Sequence, residues 1–107
     1  MEANRDNGQN LGSRVGRGWT FLSNHAHVLV CVAEAPDARI RDIAQRVGIT
    51  ERAASNIVAD LEHDGYITRE RQGRNNHYRL HRDLPLRHPI ENHRRIGDLL
   101  ALLTERP

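Results

Sequence analysis

Two amphipathic stretches with the same apolar spacing are joined by the tetrapeptide Val47-Gly48-Ile49-Thr50. The first stretch places Ile40, Ile43, Ala44 and Val47 at i, i+3, i+4 and i+7. The second places Ala54, Ile57, Val58 and Leu61 at the same offsets. This is the period of a helix with one buried stripe; in a strand the same residues would fall on both faces. Gly48 supplies the left-handed residue that ends the first helix, and Thr50 caps the second. So short a junction makes the pair a helix-turn-helix. Ile49 plugs the space between the helices, and Ala44 is small where they must approach.

The flanking sequence extends this unit in both directions. Ser23 is a candidate N-cap for a helix over about 24–35, which Pro36 stops. Its run Val28-Leu29-Val30-Cys31-Val32-Ala33 is apolar on most sides, so this helix sits centrally in the core. After the second amphipathic helix, ended by Gly65, two short strands are predicted at Tyr66–Arg71 and His77–Leu80. They flank a connection, Gln72-Gly73-Arg74-Asn75-Asn76, whose centre holds the residues hairpin turns need. Asp83 to Pro89 reads as an extended connection, since proline disfavours helix before it. A last helix is predicted from about 90 to 104, with Ile96, Leu99, Leu100 and Leu103 on one face. The expected fold is mainly α with a small β-hairpin: a helix-turn-helix with a wing, plus a C-terminal helix, over residues 19–104. Residues 1–18 contain Gly8, Gly12, Gly16 and Gly18 and few apolar side chains, so they are expected to form a flexible, mildly basic tail.

A chain of 107 residues closes one modest core. Its longest apolar run, Val28 to Ala33, is too short to span a membrane. One cysteine excludes an intrachain disulfide framework, and no apolar signal core opens the sequence. A cytoplasmic protein is the expectation. The net charge is only +2, yet residues 66–82 hold Arg69, Arg71, Arg74, Arg79 and Arg82 against the single acid Glu70. Positive charge is thus concentrated on the hairpin, and the rest of the chain is net negative. All 16 basic residues are arginine, the side chain suited to bidentate phosphate and guanine contacts.

With these elements in order, the segment IRDIAQRVGITERAASNIVADLEHDGYITRERQGRNNHYRL, residues 40–80, resembles the MarR-like group of small winged helix-turn-helix transcriptional regulators. The layout of residues 19–103 agrees with that group. The resemblance implies sequence-specific binding of double-stranded DNA, with a recognition helix over 51–64 in the major groove and the wing over 66–82 on backbone and minor groove. Two features depart from the pattern. Ile40 and Arg41 stand where a Ser or Thr cap is usual, with Asp42 compensating in the first turn. The long N-terminal dimerisation helix of full-length relatives is not expected in residues 1–18, so their dimer geometry is not carried over.

Helical geometry then selects the candidate contacts. Opposite the stripe of Ile57 and Leu61 lie Arg52 and Asn56, with Ser55 at the edge. Arg bridges the O6 and N7 of guanine, and Asn bridges the N6 and N7 of adenine. Thr50 and the free N–H groups beside it suit a phosphate. On the wing, Arg74 at the tip is the candidate for minor-groove insertion, while Arg69, Arg71 and His77 are candidates for the backbone. Trp19, Phe21, Ile96, Leu99, Leu100 and Leu103 are candidates for a homodimer interface, the commonest oligomeric form, and Gly97 for a close approach there. A small-molecule effector between the first and last helices is a further possible partner, of unknown identity.

Other chemistries find little support. His25 and His27 point to different faces, and His88 and His93 lie five apart, a poor chelating spacing. No metal and no cofactor is expected; a dimer-bridging set of His88, Glu91 and His93 is the one arrangement left open. Cys31 sits in an apolar helix without an adjacent positive charge, the setting of an inert thiol. There is no nucleophile elbow, phosphate loop or metalloprotease motif, so an enzyme is not expected. The alternatives are a winged-helix protein-interaction module and a metal- or ligand-sensing repressor.

Overall fold

The structure, a computed structural model, describes residues 18–104. The expected N-terminal tail lies outside the described residues except for Gly18. Six elements follow in order: α1 (Asn24–Glu34), α2 (Ile40–Val47), α3 (Glu51–His63), β1 (Ile67–Gln72), β2 (Asn75–Leu80) and α4 (Ile96–Thr104).

The β-branched run of α1 is helical because it is enclosed on several sides. Val28, Leu29, Cys31 and Val32 are all buried, and α1 packs against α2, α3 and α4. Ser23 caps it, its hydroxyl accepting the Ala26 N–H at 3.4 Å. Burial pushes the Cys31 thiol above its ordinary range, with Arg46 opposing the shift, and so favours the protonated form. Ile43 and Ala44 of α2 and Ala54, Ile57, Val58 and Leu61 of α3 complete the central cluster with Tyr66, Ile67, Tyr78, Ile96 and Leu100. The alanines stand where the helices come together: Ala44 is 3% exposed and Ala54 is fully buried.

Gly48 ends α2 at φ 87°, ψ 35°, and its N–H and that of Ile49 both return to Ala44 O. A side chain at this left-handed position would be strained. Thr50 Oγ1 accepts the Ala53 N–H at 3.0 Å and caps α3. At the start of α2 the cap is carboxylate-based: Asp42 Oδ2 accepts the Arg39 N–H at 3.3 Å. The Arg46 guanidinium, 2.9 Å from Glu34 Oε1, links α2 to α1.

Two boundaries differ from expectation. The hairpin ladder extends to Gln72↔Asn75, leaving Gly73-Arg74 as a two-residue turn rather than a five-residue connection. Asn75 and Asn76 are strand residues. The second difference is the last helix, which begins at Ile96, not near residue 90. Residues 94–96 pair with 84–86 instead: Leu86 N–H donates to Arg94 O, and Ile96 N–H to Leu84 O. That strand-like pairing uses backbone groups a helix would need. Asp98 then starts α4 by accepting the Arg95 N–H at 3.0 Å.

The turn into α4 lies tight against the chain leaving β2. A Cβ on Gly97 would stand 2.9 Å from both Cβ and O of Arg82. The close approach expected of Gly97 is therefore made within the chain. Gly to Ala inside a helix normally gains about 1 kcal/mol. Here the contact reverses the sign, and Gly97→Ala is expected to cost about 1–3 kcal/mol through overpacking. Urea denaturation checks this; an unchanged or raised midpoint refutes it.

His27, half-buried on α1, has its pKa lowered by burial. A depressed imidazole pKa favours the neutral ring in the fold, so the unfolded chain takes up the proton first. The stability contributed is complete above the ordinary value of about 6.5 and is lost as pH falls from there towards the depressed folded value. The stability difference between the parent and His27→Gln should fall on acidification through that window. A pH-independent difference would count against it.

Candidate nucleic-acid interface

Burial divides α3 lengthwise. Ala54, Ile57, Val58 and Leu61 face the core, while Arg52, Ser55, Asn56 and Ala59 are exposed. The predicted base-reading residues are thus together on the outer face of the helix, within its first two turns. Thr50 stands at its start, with its hydroxyl occupied by the cap bond. The Arg52 side chain has no ion-pair partner among the described residues, so its guanidinium is available to a ligand.

The C-terminal half of α3 is acidic, and its carboxylates are engaged. Asp60 Oδ2 lies 2.9 Å from His25 Nε2, Glu62 Oε1 lies 2.8 Å from Arg69 Nη2, and Asp64 Oδ2 lies 3.0 Å from Arg87 Nη1. These pairs tie the end of α3 to α1, to the wing and to the connection before α4.

On the wing, β1 and β2 pair antiparallel, with Arg69 opposite Tyr78 and Arg71 opposite Asn76. Alternation puts Ile67, Arg69 and Arg71 on one face, together with buried Tyr78. Arg69 is held to Glu62, an exposed pair of modest strength. Arg71 and Arg74 are exposed and without an ion-pair partner among the described residues, Arg74 at the turn. His77 behaves differently from its predicted role as a backbone contact. Its Nδ1 lies 2.6 Å from Asp37 Oδ1, while the Tyr78 N–H donates to Pro36 O at 2.9 Å. These two bonds fasten the wing to the α1–α2 link, so His77 anchors the wing.

Sequence reasoning passed over Arg39 and Arg41. Both flank the start of α2, both are exposed, and neither has an ion-pair partner among the described residues. Their signal was present as two arginines around the first turn of a helix-turn-helix. Arg41 enters the sequence reading only as a residue standing where a Ser or Thr cap is usual, and Arg39 does not enter it.

Residues 23–76 match the model of the MarR family. The match spans α1, the helix-turn-helix, β1, the turn and the start of β2, which is half of the chain. The chain belongs to the MarR family. It is accordingly a transcriptional regulator, of a family whose members are regulators rather than enzymes, with the winged helix fold that the helices and hairpin describe. No curated protein matches the chain significantly.

Within this MarR-family fold the predicted dimer residues separate into two sets. Ile96 and Leu100 are 7% and 1% exposed in the chain's own core. They are corrected from interface to core residues, because α4 folds back onto α1. Leu99 and Leu103 are half-buried. Trp19 and Phe21 are 62% and 92% exposed and meet edge to face with centroids 5.0 Å apart. Leu102, at 75% exposed, was not among the predicted interface residues. Among the described residues no group of three His, Cys, Asp or Glu side chains is placed to hold a metal ion. No described helix is long and apolar enough to cross a membrane.

Proposed function

We propose that this MarR-family regulator binds double-stranded DNA sequence-specifically, with residues 51–64 in the major groove. Arg52 and Asn56 read base edges there, with Ser55 beside them. The N–H groups at the start of α3, next to Thr50, meet a phosphate. Arg74 enters the minor groove from the wing, and Arg71 contacts the backbone, with Arg69 able to leave Glu62 at small cost. Arg39 and Arg41 meet phosphates on the flank where the first helix of such a motif crosses the backbone. The protein acts in the cytoplasm as a homodimer, through Trp19, Phe21, Leu99 and Leu103 with Leu102, and a small-molecule effector modulates it.

The observation that carries this reading is the division of charge along α3. Its exposed N-terminal face holds Arg52, which has no ion-pair partner among the described residues, and Asn56, with Glu51 the one carboxylate in that half, while Asp60, Glu62 and Asp64 are engaged at the other end. Selection of binding sites from a random duplex pool tests it. A recovered motif carrying guanine and adenine within one half-site, and lost with Arg52→Ala, is the expected result. A pool that shows no enrichment refutes sequence-specific binding. Sedimentation as a monomer at micromolar concentration refutes the dimer.

A further inference from the structure

A cleft of about 710 Å³ opens between the start of α1, the end of α3 and the connection into α4. Its volume lies in the range of small-molecule sites, about 300–1,000 Å³. The floor is apolar, formed by Leu29, Leu61, Leu86 and Leu99 with Phe21 at the side. The polar groups around it are of mixed sign but not balanced. Asp60, Asp64 and Glu91 contribute three carboxylates, against Arg87 and the imidazole of His25.

The two basic groups are both occupied. His25 is paired with Asp60 and Arg87 with Asp64. Tyr66 also lines the cleft, and its hydroxyl donates to Pro85 O at 2.6 Å. The Glu91 carboxylate has no ion-pair partner among the described residues. An anionic guest would have to detach a cation from its carboxylate and then face the carboxylate it exposed. A cationic guest finds Glu91 open and adds to the existing pairs.

We propose that this cleft is a binding site for an organic cation: a small molecule with an apolar, ring-sized body and a single ammonium or amidinium group. The body lies on Leu29, Leu61 and Leu86, clear of the Phe21 and Leu99 side chains assigned to the dimer interface, and the cationic group lies among Glu91, Asp60 and Asp64. This names the chemistry of the effector invoked above. Binding to the free protein does not depend on DNA recognition, so the two readings fail separately.

The test uses the full chain without DNA and three probes that share one ring system: naphthylmethylamine, naphthoic acid and naphthylmethanol. Calorimetric titration near neutral pH is expected to show the amine binding about tenfold or more tightly than the acid, with the alcohol between them. Glu91→Gln, at an exposed position outside the core, is expected to bring the amine close to the alcohol. Asp60→Asn should weaken the amine in the same sense. Equal affinities for amine and acid, tighter binding of the acid, or no binding of any probe at millimolar concentration would overturn the proposal. A preference for the amine that survives both variants would place the cation elsewhere and overturn it too.

Discussion

Raising the salt from about 50 mM to about 200 mM should weaken duplex binding by about 10²-fold for one bound protomer and about 10⁴-fold for two. The figures follow from four of the arginines without an ion-pair partner among the described residues, those proposed to meet the DNA backbone or minor groove. Arg39, Arg41, Arg71 and Arg74 give about four displaced counterions per protomer, and each contributes about −0.9 to the slope of log affinity against log salt. Variants separate the two kinds of contact. Arg71→Ala should lower the slope by about one per protomer and weaken all duplexes alike. Arg52→Ala should cost about 1–3 kcal/mol on the selected site, about 5- to 150-fold, with much less loss on other sequences. Fluorescence anisotropy at a series of salt concentrations measures both. An affinity insensitive to salt would remove the arginines from the interface, and a uniform loss with Arg52→Ala would remove base reading from α3.

The second large effect concerns stability. Leu100 is 1% exposed and packs in the cluster that joins α4 to α1. Leu100→Ala should cost about 2–5 kcal/mol, a large part of the roughly 5–15 kcal/mol that holds such a domain folded. The corresponding fall in Tm is about 10 °C or more. This loss should be the same at low and high protein concentration, because the contact lies within one chain. Leu102→Ala, at an exposed position of the same helix, should change the stability of one chain by less than about 0.5 kcal/mol. It should instead weaken self-association, read by sedimentation. If Leu100→Ala proved harmless, α4 would not be part of the core.

The sequence made the helix-turn-helix legible because its signals agreed at every level. Two runs of helical spacing, a left-handed glycine and a threonine cap all specify one local structure, and Gly48 and Thr50 stand where that reading puts them. The central position of α1 was legible for the same reason, since a run such as Val28 to Ala33 has to be covered on several sides. What escaped were features created by chain segments meeting across the fold. The pairing of residues 84–86 with 94–96 delays α4 to Ile96, and no local periodicity signals it. The Asp37 carboxylate, 40 positions from His77, takes that imidazole as a wing anchor. Gly97 was recognised as a close approach, but its partner, Arg82, was visible only once the chain was folded. For the interface, periodicity selected the outer face of α3 and composition selected the wing. Which arginines remain free depends on the positions of Glu62 and Glu70, which bind Arg69 and Arg79.

The lengthwise division of α3 also bears on how such a protein changes its target. The residues facing outward, Arg52, Ser55 and Asn56, contribute nothing to the buried cluster, and Ala54, Ile57 and Val58 contribute nothing to the outer face. Two alphabets are therefore written on one helix, interleaved but independent. Substitutions in the outer set can drift or be randomised in a library with little effect on folding. Surface changes of that kind typically alter stability by less than about 0.5 kcal/mol, so under the proposed reading of DNA by α3 a new operator preference can arise in a few steps while the scaffold stays as it is.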